Sequence, residues 1–123
     1  KQRKRVFSTY EKYLKKKKNF KMNPRIAGRN NNYWLPYIVW DKDLKINKED
    51  LVDYLKNKGA DCRPFFYPLS SSPLFKKYKN NKNNISYAES KYGICLPCSG
   101  KITKNEIKYV SILINKFFDD RKK

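Results

Sequence analysis

Apolar positions along the chain change their period several times, and each change marks an element. In QRKRVFSTYEKYLKKK, residues 2 to 17, Val6, Tyr10, Tyr13 and Leu14 recur at helical spacing, with Lys17 extending the stripe and the other lysines around the wheel. An amphipathic helix with a narrow apolar face is predicted there. Pro24, Gly28 and the Asn run at 30 to 32 remove helix support, so residues 15 to 32 read as a solvated loop. YWLPYIVW, residues 33 to 40, is rich in aromatic and β-branched residues and predicts a strand. Pro36 cannot donate to a ladder, which argues for an edge strand or a bulge at that point.

The helical period returns in NKEDLVDYLKNK, residues 47 to 58, with Leu51, Tyr54 and Leu55 as the buried face. Asn47 is the expected N-cap and Gly59 the left-handed stop, with Glu49 and Asp50 favourably placed in the first turn. ADCR, residues 60 to 63, predicts a short strand, and Ser72 followed by Pro73 starts a short helix to Tyr78. KNNKNN, residues 79 to 84, is a polar loop. ISYAESKY makes one or two helical turns stopped by Gly93, and ICLP is a brief strand. Thr103 and Glu106 form a capping box before residues 104 to 118, where Ile107, Val110, Ile114 and Phe117 share a face that Ile112 and Leu113 widen. This order of elements predicts an α+β fold, a small sheet with helices packed on one face. Residues 1 to 123 read as one domain, with a basic helix and loop over 1 to 32 and an α/β core over 33 to 118.

Composition changes this picture chiefly through charge. The chain carries +19, with twelve of its 30 basic residues and a single acid among the first 29 positions. Such a field attracts polyanions without choosing among them. Phe7, Tyr10, Tyr13 and Phe20 interleave the lysines, so a nucleic-acid-binding arm in which these rings stack on bases is one reading. The other is a solvated helix face in a Lys- and Asn-rich chain, with nucleic acid bound only nonspecifically through charge. No apolar run approaches the roughly 18 residues of a membrane helix, and no signal-peptide core follows the basic start, which predicts a soluble, cytoplasmic protein.

The available chemistry is narrow. Histidine is absent, which removes the usual general base and the usual metal ligand. Cys95 and Cys98 have the spacing of half a zinc site, but with Cys62 alone remaining the ligand count fails, and three cysteines without a secretion signal predict free thiols. The carboxylates fall at helix starts and chain ends, and the 4 glycines do not assemble a phosphate loop. No catalytic residue and no metal site are predicted.

One segment departs from its surroundings. RPFFYPLSSSP, residues 63 to 73, holds a single charge among aromatic rings, prolines and serines. The following proline forces Arg63 extended, where its planar fork suits a phosphate or carboxylate, beside the ring faces of Phe65, Phe66 and Tyr67. Alternatively, the rings fill the gap between sheet and helices and the prolines stiffen a crossing loop. The residues alone leave both readings open.

NNYWLPYIVW, KEDLVDYLKNKGADCRPFFYPLSSSPLFKKY and ISYAESKYGICLPCSGKITKNEIKYVSILI resemble, in order and spacing, the small C-terminal domain of DegT/DnrJ-type pyridoxal-phosphate-dependent sugar-nucleotide aminotransferases, enzymes of fold type I. Within that family, RPFFYPLSS is most similar to the perosamine synthase group, which aminates a GDP-linked 4-keto-6-deoxy sugar with glutamate as donor. The resemblance implies a homodimeric parent enzyme whose large domain holds most of the pyridoxal phosphate site and the Schiff-base lysine, so that this chain alone neither binds the cofactor nor transaminates. It assigns substrate contact to Arg63, Phe66, Tyr67 and Ser70 in the loop and to Asn32 and Trp34 at the strand entry. Many relatives carry a histidine near the end of this loop, where Ser70 and Ser71 stand here. A first residue of Lys rather than Met fits a processed chain or a piece of a longer one. A remnant without the catalytic domain is the remaining expectation.

Overall fold

The computed structural model describes residues 1 to 14, 19 to 80, 82 and 84 to 121. In chain order it contains α1 (Gln2–Leu14), β1 (Phe20–Met22), β2 (Tyr37–Trp40), α2 (Lys48–Asn57), β3 (Arg63–Pro64), α3 (Asn84–Lys91), β4 (Gly93–Cys95) and α4 (Lys104–Asp120), with tight 3-10 turns at Lys42–Leu44, Leu69–Ser71 and Pro73–Tyr78. The four strands form one antiparallel sheet in the order β1-β2-β4-β3. Register aligns Phe20 with Trp40, Met22 with Ile38, and Ile38 with Ile94, which puts these apolar side chains on one face. Over that face lie Val6, Tyr10 and Leu14 of α1, Leu51 and Leu55 of α2, and Ile107, Val110, Ile114 and Phe117 of α4, in one continuous core. The α+β architecture is as expected.

Helix ends follow their local signals. Asn47 Oδ1 accepts from the Glu49 N–H at 3.2 Å, and at the other end Gly59 sits at φ +77 while the Ala60 N–H reaches back to the Leu55 carbonyl at 2.9 Å. In the capping box, Thr103 Oγ1 accepts from the Glu106 N–H at 3.2 Å, and Glu106 Oε2 accepts from the Thr103 N–H at 2.6 Å.

Other expectations are corrected. Residues 20 to 22 form β1 inside the predicted loop; three residues are too few to show an alternating pattern, and pairing with β2 supplies what the local sequence lacks. β2 is interior rather than at an edge, because Pro36 lies just outside it, where only its carbonyl is used, accepting from the Leu96 N–H at 2.9 Å. Residues 73 to 78 wind as a 3-10 helix. Gly93 opens β4 instead of stopping α3: a Cβ there would lie 2.8 Å from Val39 Cγ1 and 2.9 Å from the Glu89 carbonyl, so only glycine allows this approach. On α4, Ile112 is 52% exposed, and Phe118 is buried in its stead, packing at 5.1 Å on Phe20. Residues 15 to 17 of the first predicted helix lie outside the described residues.

The aromatic residues of the basic N-terminal segment are not available to nucleic-acid bases. Phe7 and Tyr10 are fully buried, Phe20 lies in the sheet, and Tyr13 packs against the core. The reading in which these four rings stack on bases fails: Tyr10, Tyr13 and Phe20 pack in or against the core shared with α4 and the sheet, and Phe7 packs on Tyr33 at 4.8 Å, since burying an aromatic ring removes far more apolar surface from water than an exposed stack would.

Candidate functional site

The segment after β3 crosses the molecule between two clefts, and Tyr67 and Pro68 line both. At the start of that segment, Arg63 pairs with its neighbour: Nη2 donates to Asp61 Oδ2 at 3.0 Å, with both side chains about three-quarters exposed at 75% and 73%. An ion pair this exposed is weak, so the guanidinium exchanges partners at little cost. Phe65 prolongs the ladder through its N–H, which donates to the Gly93 carbonyl at 3.0 Å, while its ring meets Tyr37 edge-on at 4.8 Å. Its role is to anchor the loop to the sheet.

Phe66 leaves that anchor and stacks on Trp34, centroids 6.4 Å apart and planes 22° from parallel. Both rings are exposed, at 59% and 58%. Trp34 is held by an Asx turn in which Asn32 Oδ1 accepts from its N–H at 2.9 Å, preceded by Asn31 Oδ1 accepting from the Tyr33 N–H at 2.7 Å. Tyr33 accordingly sits at φ +53. The Asn run thus serves the fold by fixing the backbone that presents the indole.

Tyr67 faces the other way. Lys48 Nζ lies 4.2 Å from its ring centroid and donates to the Ser90 carbonyl at 2.7 Å. Ser70 is buried, its hydroxyl 3.2 Å from the Tyr87 hydroxyl, and Ser71 Oγ donates to the Pro68 carbonyl at 2.6 Å. These serines close the 3-10 turn and tie it to α3. The six expected contact residues therefore fall in separate places: Asn32, Trp34 and Phe66 together, Tyr67 and Ser70 beside α3, and Arg63 with Asp61.

Lys48 was missed by sequence reasoning, although a signal was present. It stands three and seven residues before Leu51 and Leu55, on the apolar face of α2, and is only 4% exposed. A lysine at that phase of a helix is drawn into contact with whatever covers the face.

The two clefts differ in character. One, of about 580 Å³, is walled by Tyr37, Val39, Phe65, Phe66 and Ile85, on the sheet face opposite the core. The other, of about 660 Å³, opens between the start of α2 and α3 and is bordered by lysines and tyrosines. The cysteines do not contribute chemistry to either. Burial, and then the nearby Asp61 and Cys95, pushes the Cys62 thiol up to about 12; burial, and then Cys98, pushes Cys95 up to about 11. Cys98 donates weakly to the Trp34 carbonyl at 3.8 Å. Among the described residues no cluster of His, Cys, Asp and Glu has the composition of a metal site, and no helix is long and apolar enough to cross a membrane.

Among the described residues, no lysine by itself offers the setting of a pyridoxal phosphate Schiff base. Lys48 is the one buried lysine among the described residues, and its amine is held against the Ser90 carbonyl and covered by Tyr67. The lysines around its cleft stand on an exposed rim, without the enclosing wall that would hold a Schiff base away from water.

A small antiparallel sheet with its core on one face carries an exposed aromatic loop at its edge. The chain belongs to the DegT/DnrJ/EryC1/StrS aminotransferase family, which it matches over residues 1–115. It is 27% identical over 93 residues to the GDP-perosamine synthase of Vibrio cholerae, a match covering 75% of this chain and 25% of that one. It is 28% identical over 120 residues to EpsN of Bacillus subtilis (strain 168), described as a putative pyridoxal phosphate-dependent aminotransferase, covering 94% and 30% of the two chains. In three dimensions it superposes on DesI, solved in the presence of its TDP-sugar product, with a TM-score of 0.84 at 16% identity, covering 98% of this chain and 32% of that one. The chain therefore spans about a quarter to a third of the length of the relatives it matches.

Proposed function

We propose that this chain is the C-terminal, substrate-contacting domain of a pyridoxal-phosphate-dependent aminotransferase acting on a nucleotide-linked 4-keto-6-deoxy sugar, with a GDP-linked, perosamine-type substrate and glutamate as amino donor. The domain contributes substrate contacts and surface to a homodimer, while cofactor and Schiff-base lysine reside elsewhere in the enzyme. Pyridoxal phosphate supplies the amino-transfer chemistry when bound. The residues of this chain bind and orient.

The observation that carries the reading is the exposed stack of Trp34 on Phe66, built by the two segments to which the resemblance assigns the substrate loop and the strand entry. Two flat faces left open to solvent, held by an Asx turn on one side and a sheet-anchored loop on the other, suit a base or sugar ring. Arg63, released from Asp61, offers a two-pronged donor to phosphate, and Tyr67 a hydroxyl. Ser70 acts through Tyr87, which it ties to the loop.

The test is glutamate-dependent amination by the full-length gene product, assayed with GDP-linked and dTDP-linked 4-keto-6-deoxy sugars. Phe66→Ala and Arg63→Ala should each raise KM for the sugar nucleotide about tenfold with kcat changed much less, the loss of one stack or one charge-assisted pair. An unchanged KM in both variants removes the loop from the substrate site. Preference for the dTDP-linked sugar removes the perosamine-type specificity and leaves the rest.

A further inference from the structure

The ladder between β1 and β2 stops at a point set by two prolines. Register aligns Met22 with Ile38, so one step further Asn23 stands opposite Tyr37, and beyond it Pro24 faces Pro36. Neither proline has an N–H to donate, and main-chain pairing cannot continue past them. The Asn23 side chain takes over from the ladder. Its Oδ1 accepts from the Tyr37 N–H at 2.9 Å, and its Nδ2 donates to the Leu35 carbonyl at 2.9 Å. A carboxamide carries the same kinds of donor and acceptor as a peptide group, so this one bridges Pro36 and grips the chain on both sides of it. From β4, on the other edge of the same segment, the chain is held by the Leu96 N–H donating to the Pro36 carbonyl at 2.9 Å.

Both rings of the exposed stack hang from the peptides held in this way. Trp34 immediately precedes Leu35. Phe66 follows Phe65, whose ring meets Tyr37 edge-on at 4.8 Å and lies 6.2 Å from the ring of Phe66. One half-buried amide therefore fixes the backbone that carries Trp34 directly and Phe66 by way of Tyr37 and Phe65. Asn23 is not in the wall of the aromatic cleft, so its effect on a ligand there passes through these residues. We propose that Asn23 is a positioning residue for the stack of Trp34 on Phe66, its side-chain amide bridging the gap that Pro24 and Pro36 leave in the ladder. That the stack receives a sugar nucleotide rests on the function proposed above; that Asn23 sets the stack rests on the geometry alone.

The test uses the full-length gene product, with the indole N–H resonance of Trp34 assigned through Trp34→Phe in a heteronuclear NMR spectrum. Phe66→Ala removes the neighbouring ring and defines the unstacked position of that resonance. Asn23→Ala should move it at least about half of the way to that position, and Asn23→Asp, which keeps the acceptor for Tyr37 but loses the donor to Leu35, by less. A resonance that stays in place in Asn23→Ala overturns the proposal. In glutamate-dependent amination, Asn23→Ala should raise KM for the GDP-linked 4-keto-6-deoxy sugar about fivefold with kcat changed less than about twofold. In the Phe66→Ala background the same substitution should raise KM by less than about twofold further, because the stack it positions is already gone. Equal increases in the two backgrounds overturn the proposal. Where Asn23→Ala fails to fold, Asn23→Asp carries the same comparisons to the same decisions. A resonance that moves while KM is unchanged in Asn23→Ala and Phe66→Ala alike supports the positioning role and removes the stack from the substrate site, which keeps the two failures distinguishable.

Discussion

The Tyr10 hydroxyl donates to the Pro97 carbonyl at 2.9 Å, joining α1 to the segment that leaves β4 across 87 residues of chain. The ring is fully buried, and burial, reinforced by the nearby Cys62, Cys98 and Glu106, holds this hydroxyl far above the ordinary tyrosine range. Tyr10→Phe keeps the packing and leaves the carbonyl without its donor, so stability should fall by about 1–2 kcal/mol in urea denaturation. A midpoint equal to that of the unmodified protein would mean that water replaces the donor at no cost.

The capping box governs α4, the helix on which both α1 and α2 pack. Thr103→Ala should lower stability by about 1 kcal/mol, with Thr103→Ser retaining most of it. The Thr103 N–H and hydroxyl hold the Glu106 carboxyl below the usual carboxylate range. A folded pKa below the unfolded one contributes stability above the unfolded value that is lost as pH falls. Glu106→Gln should therefore flatten the acid limb of a plot of Tm against pH; an unchanged limb would show that the box is open in solution.

Gly93 tolerates no side chain. Gly93→Ala places a methyl group against Val39 and the Glu89 carbonyl and should cost about 1–3 kcal/mol by forcing α3 and the sheet apart. Adding Val39→Ala relieves the contact with Cγ1 but not that with the carbonyl, so thermal denaturation of the double variant should show recovery of less than the whole shift attributable to Gly93→Ala.

The buried thiols predict alkaline sensitivity. Cys62 and Cys95 hold pKa values of about 12 and about 11 in the fold, against an ordinary 9.0. Because the folded values are raised, the unfolded chain loses these protons first. Their contribution is complete below about pH 9 and declines as pH rises towards the folded values. Tm should fall between about pH 9 and pH 12 with a smaller slope in Cys62→Val; identical slopes would assign the fall to other groups.

Much of the helical framework is legible without the fold. Asn47, Gly59, Thr103 and Glu106 act on backbone groups within a turn of themselves, so the start and stop of α2 and the start of α4 are marked by those residues. The composition of residues 63 to 73 likewise marks a loop unlike the rest of the chain, because prolines and aromatic residues constrain backbone and solvation locally.

Other features depend on distant partners. β1 exists because β2 pairs with it, and β2 is interior because β4 covers its other edge. Phe7 and Tyr10 are buried while Trp34 and Phe66 are exposed, although all four are aromatic. Lys48 and Ser70 enter the interior on account of Ser90 and Tyr87, which lie far along the chain. The sequence by itself determined the helices, their caps and the unusual loop, since those rest on interactions a few residues long. Only the tertiary structure decided the strand order and which rings form core or open surface, since each rests on long-range packing with no local signature.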